Sequence, residues 1–480
     1  MIKASRLTIS PIAALGLILA GCNLAPDYLR PTPPVPETWP QDAAAGSRSI
    51  AELDWQTFFP DPRLRALIDA ALDNNRDLRI ATARIAEARA LFGIQRADRF
   101  PTVNLGADRS ASLTPGDLNQ SSRPLGQQRY DVNLGITAFE LDFWGRVKNL
   151  SDAALRSYLA TEEARRAFRL SLIADVADAY LTMQEMEERA ALARETVRTR
   201  QEFRDLTFRR RDAGIAGDLD ALQADGALQT SRVDLAGLER QRASADNLLR
   251  LLVGSSGNIS KELPAGRRLV EQDILPNLSA GLPSEMLLRR PDVLAAEQSL
   301  LAANANIGAA RAAFFPRLSL TGAFGSSSVA LSGLFDSGSR AWSFQPALSM
   351  PLFDAGRVAN SVDLAEVRKV IAVAQYEKAI QQAFREVADL LVARETLARQ
   401  LEAQEAGEKS QNARLRLVEA RYQGGVANHL ELLDAQRDAF AAQQGTVQFR
   451  RQLLSAYSQL FKALGGGQDG RAATPETPLR

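Results

Sequence analysis

The chain writes one long pattern twice, and this duplication limits what it can fold into. At an offset of 215 residues Asp77 falls on Asp292, Gly93 on Gly308, Arg96 on Arg311 and Phe100-Pro101 on Phe315-Pro316. Further along the best offset is 211. Gly145-Arg146-Val147 then meets Gly356-Arg357-Val358, Asn149 meets Asn360, and Val176-Ala177-Asp178 meets Val387-Ala388-Asp389. Leu219, Leu222 and Ala224 likewise meet Leu430, Leu433 and Ala435. A fixed long offset marks one architectural unit used twice. The offset changes only between the strands. We therefore expect helices of equal length in both copies and a shorter strand-connecting loop in the second.

Each copy reads as a helix, two strands and two long helices. Repeat 1 covers 62–253, with a β-hairpin at about 102–140 and a helical hairpin whose tip lies near 212–218. Repeat 2 covers 284–464, with a β-hairpin at about 317–351 and a tip near 422–428. The first helix begins near Pro62, a residue suited to a first helical turn. It is expected to run unbroken toward Arg99 and to stop at Phe100-Pro101. Val132, Leu134, Ile136 and Ala138 alternate with Asp131, Asn133, Gly135 and Thr137, the period of a strand with one apolar face. Leu318, Leu320 and Phe324, then Phe344, Leu348 and Met350, repeat it. Strands of about ten residues have the length that a tilted membrane-spanning strand needs. Phe100, Phe139, Phe315 and Trp342 sit near their ends, where aromatic girdles occur.

From Gly145 to Asp212 there is no proline, and Ile173, Val176, Ala177, Tyr180 and Leu181 form a helical apolar stripe. Such a helix is roughly 100 Å long at about 1.5 Å per residue. The return helix carries Leu235, Leu238, Ala245, Leu249 and Leu252 at heptad-like spacing. Gly214, Gly424 and Gly425 make the tip turns, where a β-carbon is disfavoured.

The ends of the chain read differently. Lys3 and Arg6 precede an apolar run, Ile9 to Leu19, too short to span a membrane, so residues 1–21 are a signal peptide. Leu19-Ala20-Gly21-Cys22 looks like a lipobox, which makes Cys22 the lipidated first residue of the mature chain. This covalent lipid is the only attached group expected; no cofactor is. Asn23 is compatible with outer-membrane sorting. Residues 22–61 form the lipidated extended segment, with six prolines between 26 and 40 and with Trp39 and Trp55 as its anchors. Residues 254–283 connect the copies, and 465–480 are a flexible tail.

Composition removes whole classes of function. A net charge of +1 offers no basic face for nucleic acid. A single histidine and a single cysteine leave no metal cluster, no internal disulfide and no nucleophile–base–acid set, so the chain is not read as an enzyme. Four strands cannot close a membrane barrel, because eight is the usual minimum and an open edge in lipid leaves backbone groups unpaired. A helical hairpin this long cannot bury its own stripe either. The expected fold is thus a membrane β-barrel plus an all-α tunnel, assembled from several copies. Strand number alone leaves two or three copies open.

Several motifs carry a resemblance. They are Leu-Ala-Pro-Asp-Tyr from Leu24, Phe-Glu-Leu-Asp-Phe-Trp-Gly-Arg from Phe139, and Leu-Arg-Arg-Pro-Asp-Val from Leu288. Phe-Phe-Pro-Arg-Leu-Ser-Leu from Phe314, Arg-Tyr-Gln-Gly-Gly-Val from Arg421, Leu-Leu-Asp-Ala-Gln-Arg from Leu432 and Lys-Ala-Leu-Gly-Gly-Gly from Lys462 complete the set. In these the chain resembles the outer-membrane efflux proteins of the TolC class, in their OprM/NodT-type lipoprotein branch. The resemblance covers nearly the whole mature chain. It implies a homotrimer that closes a twelve-strand barrel and a helical barrel, lipid-anchored and inserted in the bacterial outer membrane. It also implies a periplasmic adaptor protein and an inner-membrane pump, commonly of the resistance–nodulation–division (RND) class. The chain would then be a passive duct exporting drugs or other toxic small molecules.

A duct needs a gate, and the tips are its expected place. Val426 is read as narrowing the periplasmic end, with Arg211, Asp212, Asp218 and Arg421 forming Arg/Asp pairs between adjacent hairpins. Similar proteins often carry an acidic residue just after the Gly-Val of the second turn. Ala427 stands there in this chain, which leaves Asp218 to substitute. His429 is read as a solvated tip residue, and Phe143 and Trp144 as anchors of the barrel–helix junction. Two alternatives are a duct for type I-like protein secretion and a structural periplasmic coiled-coil lipoprotein. The latter explains the helices and the lipid but not the two strand hairpins.

Overall fold

The computed structural model describes residues 23–36, 54–118, 120, 123–254, 263–274 and 284–466. Residues 1–21, Cys22, Trp39, most of the 254–283 connection and the tail beyond 466 lie outside the described residues. Two compact units divide the chain: one holds Met1–Thr32, Arg84–Glu162 and Ala295–Glu377, the other Pro33–Ala83, Glu163–Leu294 and Lys378–Arg480. In order, the helices and strands are α1 (Trp55–Phe58), α2 (Pro62–Asn74), α3 (Arg76–Ala97), β1 (Val103–Thr114), β2 (Leu125–Leu141), α4 (Arg146–Asp212) and α5 (Asp218–Val253). They are followed by α6 (Pro291–Ala312), β3 (Arg317–Ser328), β4 (Arg340–Ser349), α7 (Arg357–Gln423) and α8 (His429–Ala463). The repeat is closely kept: α3 and α6 each have 22 residues, α4 and α7 each have 67, and the return helices α5 and α8 have 36 and 35. None of the described helices is long and apolar enough to cross a membrane.

The first unit is built on an antiparallel sheet in the order β1-β2-β3-β4. Its register places Leu105 opposite Leu134, Leu134 opposite Phe324 and Phe324 opposite Trp342, so one apolar row crosses all four strands. The next row contains Val103, Ile136, Gly322 and Phe344. These side chains stand on one face, and all four of the first row are exposed. The opposite face carries Asn104, Gly135, Ala323 and Ser343, then Gly106, Asn133, Gly325 and Ala341. Small residues are needed there: a β-carbon on Gly325 would come within 2.0 Å of the Val132 carbonyl oxygen.

The alternation predicted for β2 ends early. The pairing with β3 shifts between Ile136 and Phe139, and Ala138 has φ of +50°. Two β2 residues oppose one β3 residue there, a bulge whose Ala138 N–H donates to Thr321 Oγ1 at 3.1 Å. Below the sheet Trp144 stacks on Phe315 at 4.6 Å and donates from Nε1 to the Pro316 carbonyl at 2.9 Å.

The expected short loop is not where the copies differ. The connection between strands spans 115–124 in the first copy and 329–339 in the second, so it is no shorter in the second. The lengths differ in the return strands, 17 residues in β2 against 10 in β4. The cause is pairing. The β2 strand serves two partners at staggered heights, β1 along Leu125–Ile136 and β3 along Tyr130–Leu141, whereas β4 has β3 alone.

The N-terminal segment is fastened to α6 in the same unit. Arg30 grips Glu297 through Nε at 2.8 Å and Nη2 at 2.7 Å, while Tyr28 OH donates to the same carboxylate at 3.0 Å. Asn304 Nδ2 donates to the Pro26 carbonyl at 2.7 Å, and Gly308 lets the strap lie close. A β-carbon on Gly308 would sit 2.6 Å from the Ala25 nitrogen. Tyr28 and Arg30 are thus anchors of this strap that the tryptophans of the sequence did not reveal.

The second unit is helical. Phe58, Phe59, Leu64, Ile68, Tyr180 and Phe461 are fully buried, with Phe58 stacked on Phe461 at 4.7 Å. A buried carboxylate, Asp61, organises this core. It caps α2 by accepting from Arg63 N at 2.8 Å, and it accepts from Tyr180 OH at 2.7 Å, Arg267 N at 3.0 Å and Gln272 Nε2 at 2.6 Å. Higher up, buried Glu185 lies between Arg189 at 2.9 Å and Arg451 at 2.8 Å, and Arg189 donates to Gln444 Oε1 at 2.6 Å. These bonds tie α4 to α8.

The single helix expected from Pro62 toward Arg99 is two. Asn75 leaves helical geometry, with ψ of 129°, and its Oδ1 caps α3 by accepting from Leu78 N at 2.9 Å. An asparagine side chain competes well for backbone donors, which makes it a good cap and a poor interior residue. Among the described residues of the second copy, a short 3-10 turn over Ser284–Arg289 leads into α6 in place of an α-helix.

Candidate functional site

The tips are two helix–turn–helix caps on the second unit, and each turn is formed the same way. Ile215 N donates to Arg210 O at 2.8 Å and Gly214 N to Arg211 O at 2.8 Å. In the second copy Val426 N donates to Arg421 O at 2.9 Å and Gly425 N to Tyr422 O at 3.0 Å. This is the Schellman pattern, with glycine at the left-handed position. Gly214 and Gly425 both have φ of +74°. Gly424 does not share the role expected for it. Its φ is not positive, a β-carbon there would meet nothing closer than 3.4 Å, and Ala213 occupies its place in the first copy.

The expected charged residues lie at these tips but pair otherwise than expected. Arg421 Nη1 binds Glu431 Oε1 at 2.7 Å, across its own turn. Arg211 binds its neighbour Asp212 at 2.6 Å and also covers the Phe208 ring, 4.6 Å from its centroid. Arg204 covers the same ring at 4.1 Å. Asp218 is exposed at the start of α5 and makes no ion pair among the described residues. Val426 stands out into solvent, 72% exposed. Within the chain, then, the Arg/Asp pairs between hairpins are replaced by pairs inside each hairpin. An arginine that can reach a partner a few residues away need not order a longer contact.

What joins the two hairpins at the tips is aromatic. Phe203 of α4 stacks on His429 of α8, 4.9 Å between centroids and 10° from parallel. Tyr422 of α7 lies 5.8 Å from Phe203, and Arg210 Nη1 reaches its hydroxyl at 3.5 Å. Val418, Leu432 and Ala435 form the apolar floor. His429 is therefore not a solvated tip residue: it is only 9% exposed, and neither ring nitrogen has a hydrogen-bond partner. Burial lowers its affinity for a proton, opposed by the nearby Asp220 carboxylate. Sequence reasoning missed Phe203. Its signal was that Phe203 and Phe208 are the only aromatic residues between Tyr180 and Val253, both placed near the end of α4.

The geometry of a duplicated strand-and-helix unit matches known proteins along its length. The outer membrane efflux protein family matches residues 67–255 and 282–466. The chain belongs to that family. It is 47% identical to outer membrane protein OprJ of Pseudomonas aeruginosa over 460 residues, covering 95% of each chain. It is 44% identical to the toluene efflux pump outer membrane protein TtgF of Pseudomonas putida, over 97% of this chain and 98% of that one. Among solved structures it superposes on the open state of the Neisseria gonorrhoeae MtrE outer membrane channel with a TM-score of 0.84 at 38% identity, covering 93% of this chain and 98% of that one. As an outer membrane efflux protein, the chain is a channel component of the bacterial outer membrane and not an enzyme.

Proposed function

We propose that this chain is the passive duct of a tripartite efflux system, lipidated at Cys22, trimeric, and fed by a periplasmic adaptor and an inner-membrane pump of the RND class. One observation supports the assembly above others: among the described residues the four-stranded sheet ends in β1 and β4, each hydrogen-bonded on one side only. Lipid cannot satisfy a bare strand edge, at several kcal/mol per group, so β1 of one copy must meet β4 of another. Two copies would give eight strands, whose interior is about filled by side chains; three give twelve and leave a lumen. A duct needs a lumen, which favours three. The row Leu105–Leu134–Phe324–Trp342 then faces lipid, and the glycine- and asparagine-bearing face lines the pore.

The relatives' names supply the cargo class: small toxic compounds, with one relative named for toluene and another for antibiotic efflux. At the tips, Val426 narrows the periplasmic end, with Arg211, Asp212, Asp218 and Arg421 around it. The test has two parts. Purified protein should run as a trimer and conduct ions in planar bilayers, and the gene should restore solvent and drug tolerance to a strain lacking its own outer-membrane duct. A monomeric or dimeric species, or a trimer that never conducts, would overturn the proposal.

A further inference from the structure

The tips contain one buried titratable group that the channel reading does not use. His429 occupies the first turn of α8, directly after the Asn428 cap, whose Oδ1 accepts from Glu431 N at 2.8 Å. Its ring lies flat on Phe203, with Tyr422 tilted alongside at 6.5 Å. Both nitrogens are buried without a partner. A neutral imidazole tolerates this site because it behaves there as an aromatic plate. An imidazolium would not: it would add a charge and a second unpaired N–H donor to a buried site, at the positive end of a helix dipole.

We propose that His429 is a positioning residue for the gate, a proton-released latch that holds the second hairpin against the first while its ring is neutral. The inference rests on the channel reading above, and it adds a control input to it. The groups facing the ring decide the sign. From α5, Asp220 favours the charged form. From α7, Tyr422 offers its ring edge, and its hydroxyl already receives Arg210 of α4. Arg421 of α7 and Glu431 of α8 are closed on each other. Asp220 therefore stands against burial, and burial is the larger influence. A group whose proton affinity is lowered by folding stabilises the folded contact above its free pKa, near 6.5, and that contribution is lost as pH falls through the lowered value. The latch holds at neutral pH and lets go in acid. A periplasm that follows external pH would thereby loosen the tips when the cell is acidified.

His429 is the only histidine in the chain, so its titration can be read without assignment. In tag-free protein in detergent, the imidazole resonances should titrate below pH 6.5 and show broadening as the stack opens. In planar bilayers the wild-type open probability should rise several-fold between pH 7.5 and 5.5. The His429→Phe variant keeps the stack and cannot protonate, so it should stay at the neutral-pH level throughout. Phe203→Ala should be equally open at both values. If His429→Phe keeps the wild-type pH response, or if the histidine titrates at or above 6.5, the latch is wrong although the channel stands. If none of the three proteins conducts at any pH, the channel reading fails and the latch with it.

Discussion

Asn75 donates from Nδ2 to the carbonyl oxygen of Leu252 at 2.8 Å, tying the start of α3 to the end of α5. The second copy makes the same join with a different residue. Arg290 stands at the position equivalent to Asn75, and its Nη1 donates to the Ala463 carbonyl at 2.6 Å, the position equivalent to Leu252. Arg290 also forks onto Asp292 at 2.8 Å and reaches Glu386 at 2.8 Å. In both copies the residue before the short helix caps the last helix of its repeat. The terminal carbonyls of a helix lack internal partners, so each join removes an unpaired acceptor from a buried corner.

Removing these joins should have unequal effects. Asn75→Ala loses a cap and one hydrogen bond, about 1–2 kcal/mol. Arg290→Ala leaves the Ala463 carbonyl unpaired and takes the cation from two partly exposed carboxylates, about 2–3 kcal/mol. Arg290→Lys should not restore it, since one ammonium cannot reproduce the fork. Thermal melting of the purified variants checks the order, wild type above Asn75→Ala above Arg290→Ala; equal melting temperatures would refute it.

The glycines at the tips should separate cleanly. Gly214→Ala and Gly425→Ala place a β-carbon in left-handed backbone and should each cost roughly 1–2 kcal/mol. Gly424→Ala should be within about 0.5 kcal/mol of wild type. Amide hydrogen exchange at the turns reads this locally: protection should fall for the first two and hold for the third.

The exposed pair Arg421–Glu431 predicts a small, salt-sensitive effect. Such a pair contributes about 0–1 kcal/mol and is screened at high ionic strength. Conductance of Arg421→Ala should exceed wild type at low salt and converge with it near 1 M salt. Asp218→Ala should match wild type unless the partner copy supplies an arginine, so a change at this position would reveal a contact between chains. Unchanged opening in both variants would remove these residues from the gate.

The strap gives a prediction far from the tips. Gly308→Ala would drive a methyl group into Ala25 and Asn149, and Glu297→Gln would weaken the Arg30 fork. Both should make the N-terminal segment more accessible to limited proteolysis while the helical core stays resistant. Glu297→Gln should be the milder, because it keeps one acceptor for Tyr28.

Much of this architecture was legible in the order of residues. The offsets of 215 and 211 located the equal helices, because helix lengths are set by the chain itself. At Asn75 the local signal for a break was present, a good cap and a poor interior residue, but the join that fixes it in place, to Leu252, is 177 residues away and was not legible. The apolar row Leu105–Leu134–Phe324–Trp342 shows each strand's alternation in sequence but not its register, which only pairing reveals. At the tips the charged residues and the turn glycines were legible, but their partners, and Phe203, were not. Arg421 chose Glu431 because it was near, and His429 went inward because Phe203 offered a flat face.

The equal lengths of α4 and α7 carry a rule for how this chain can change. One residue inserted in α4 turns everything beyond it by about 100° and carries it about 1.5 Å along the axis. The Phe203–His429 stack and the Arg189–Gln444 bond, which read α4 against α8, would both lose register. A single insertion is therefore a frameshift in space: it re-aims every contact that the displaced part of α4 makes with a neighbour that has not shifted. The length of α4 is thus tied to the helices it packs against, α8 above all, and cannot drift by itself.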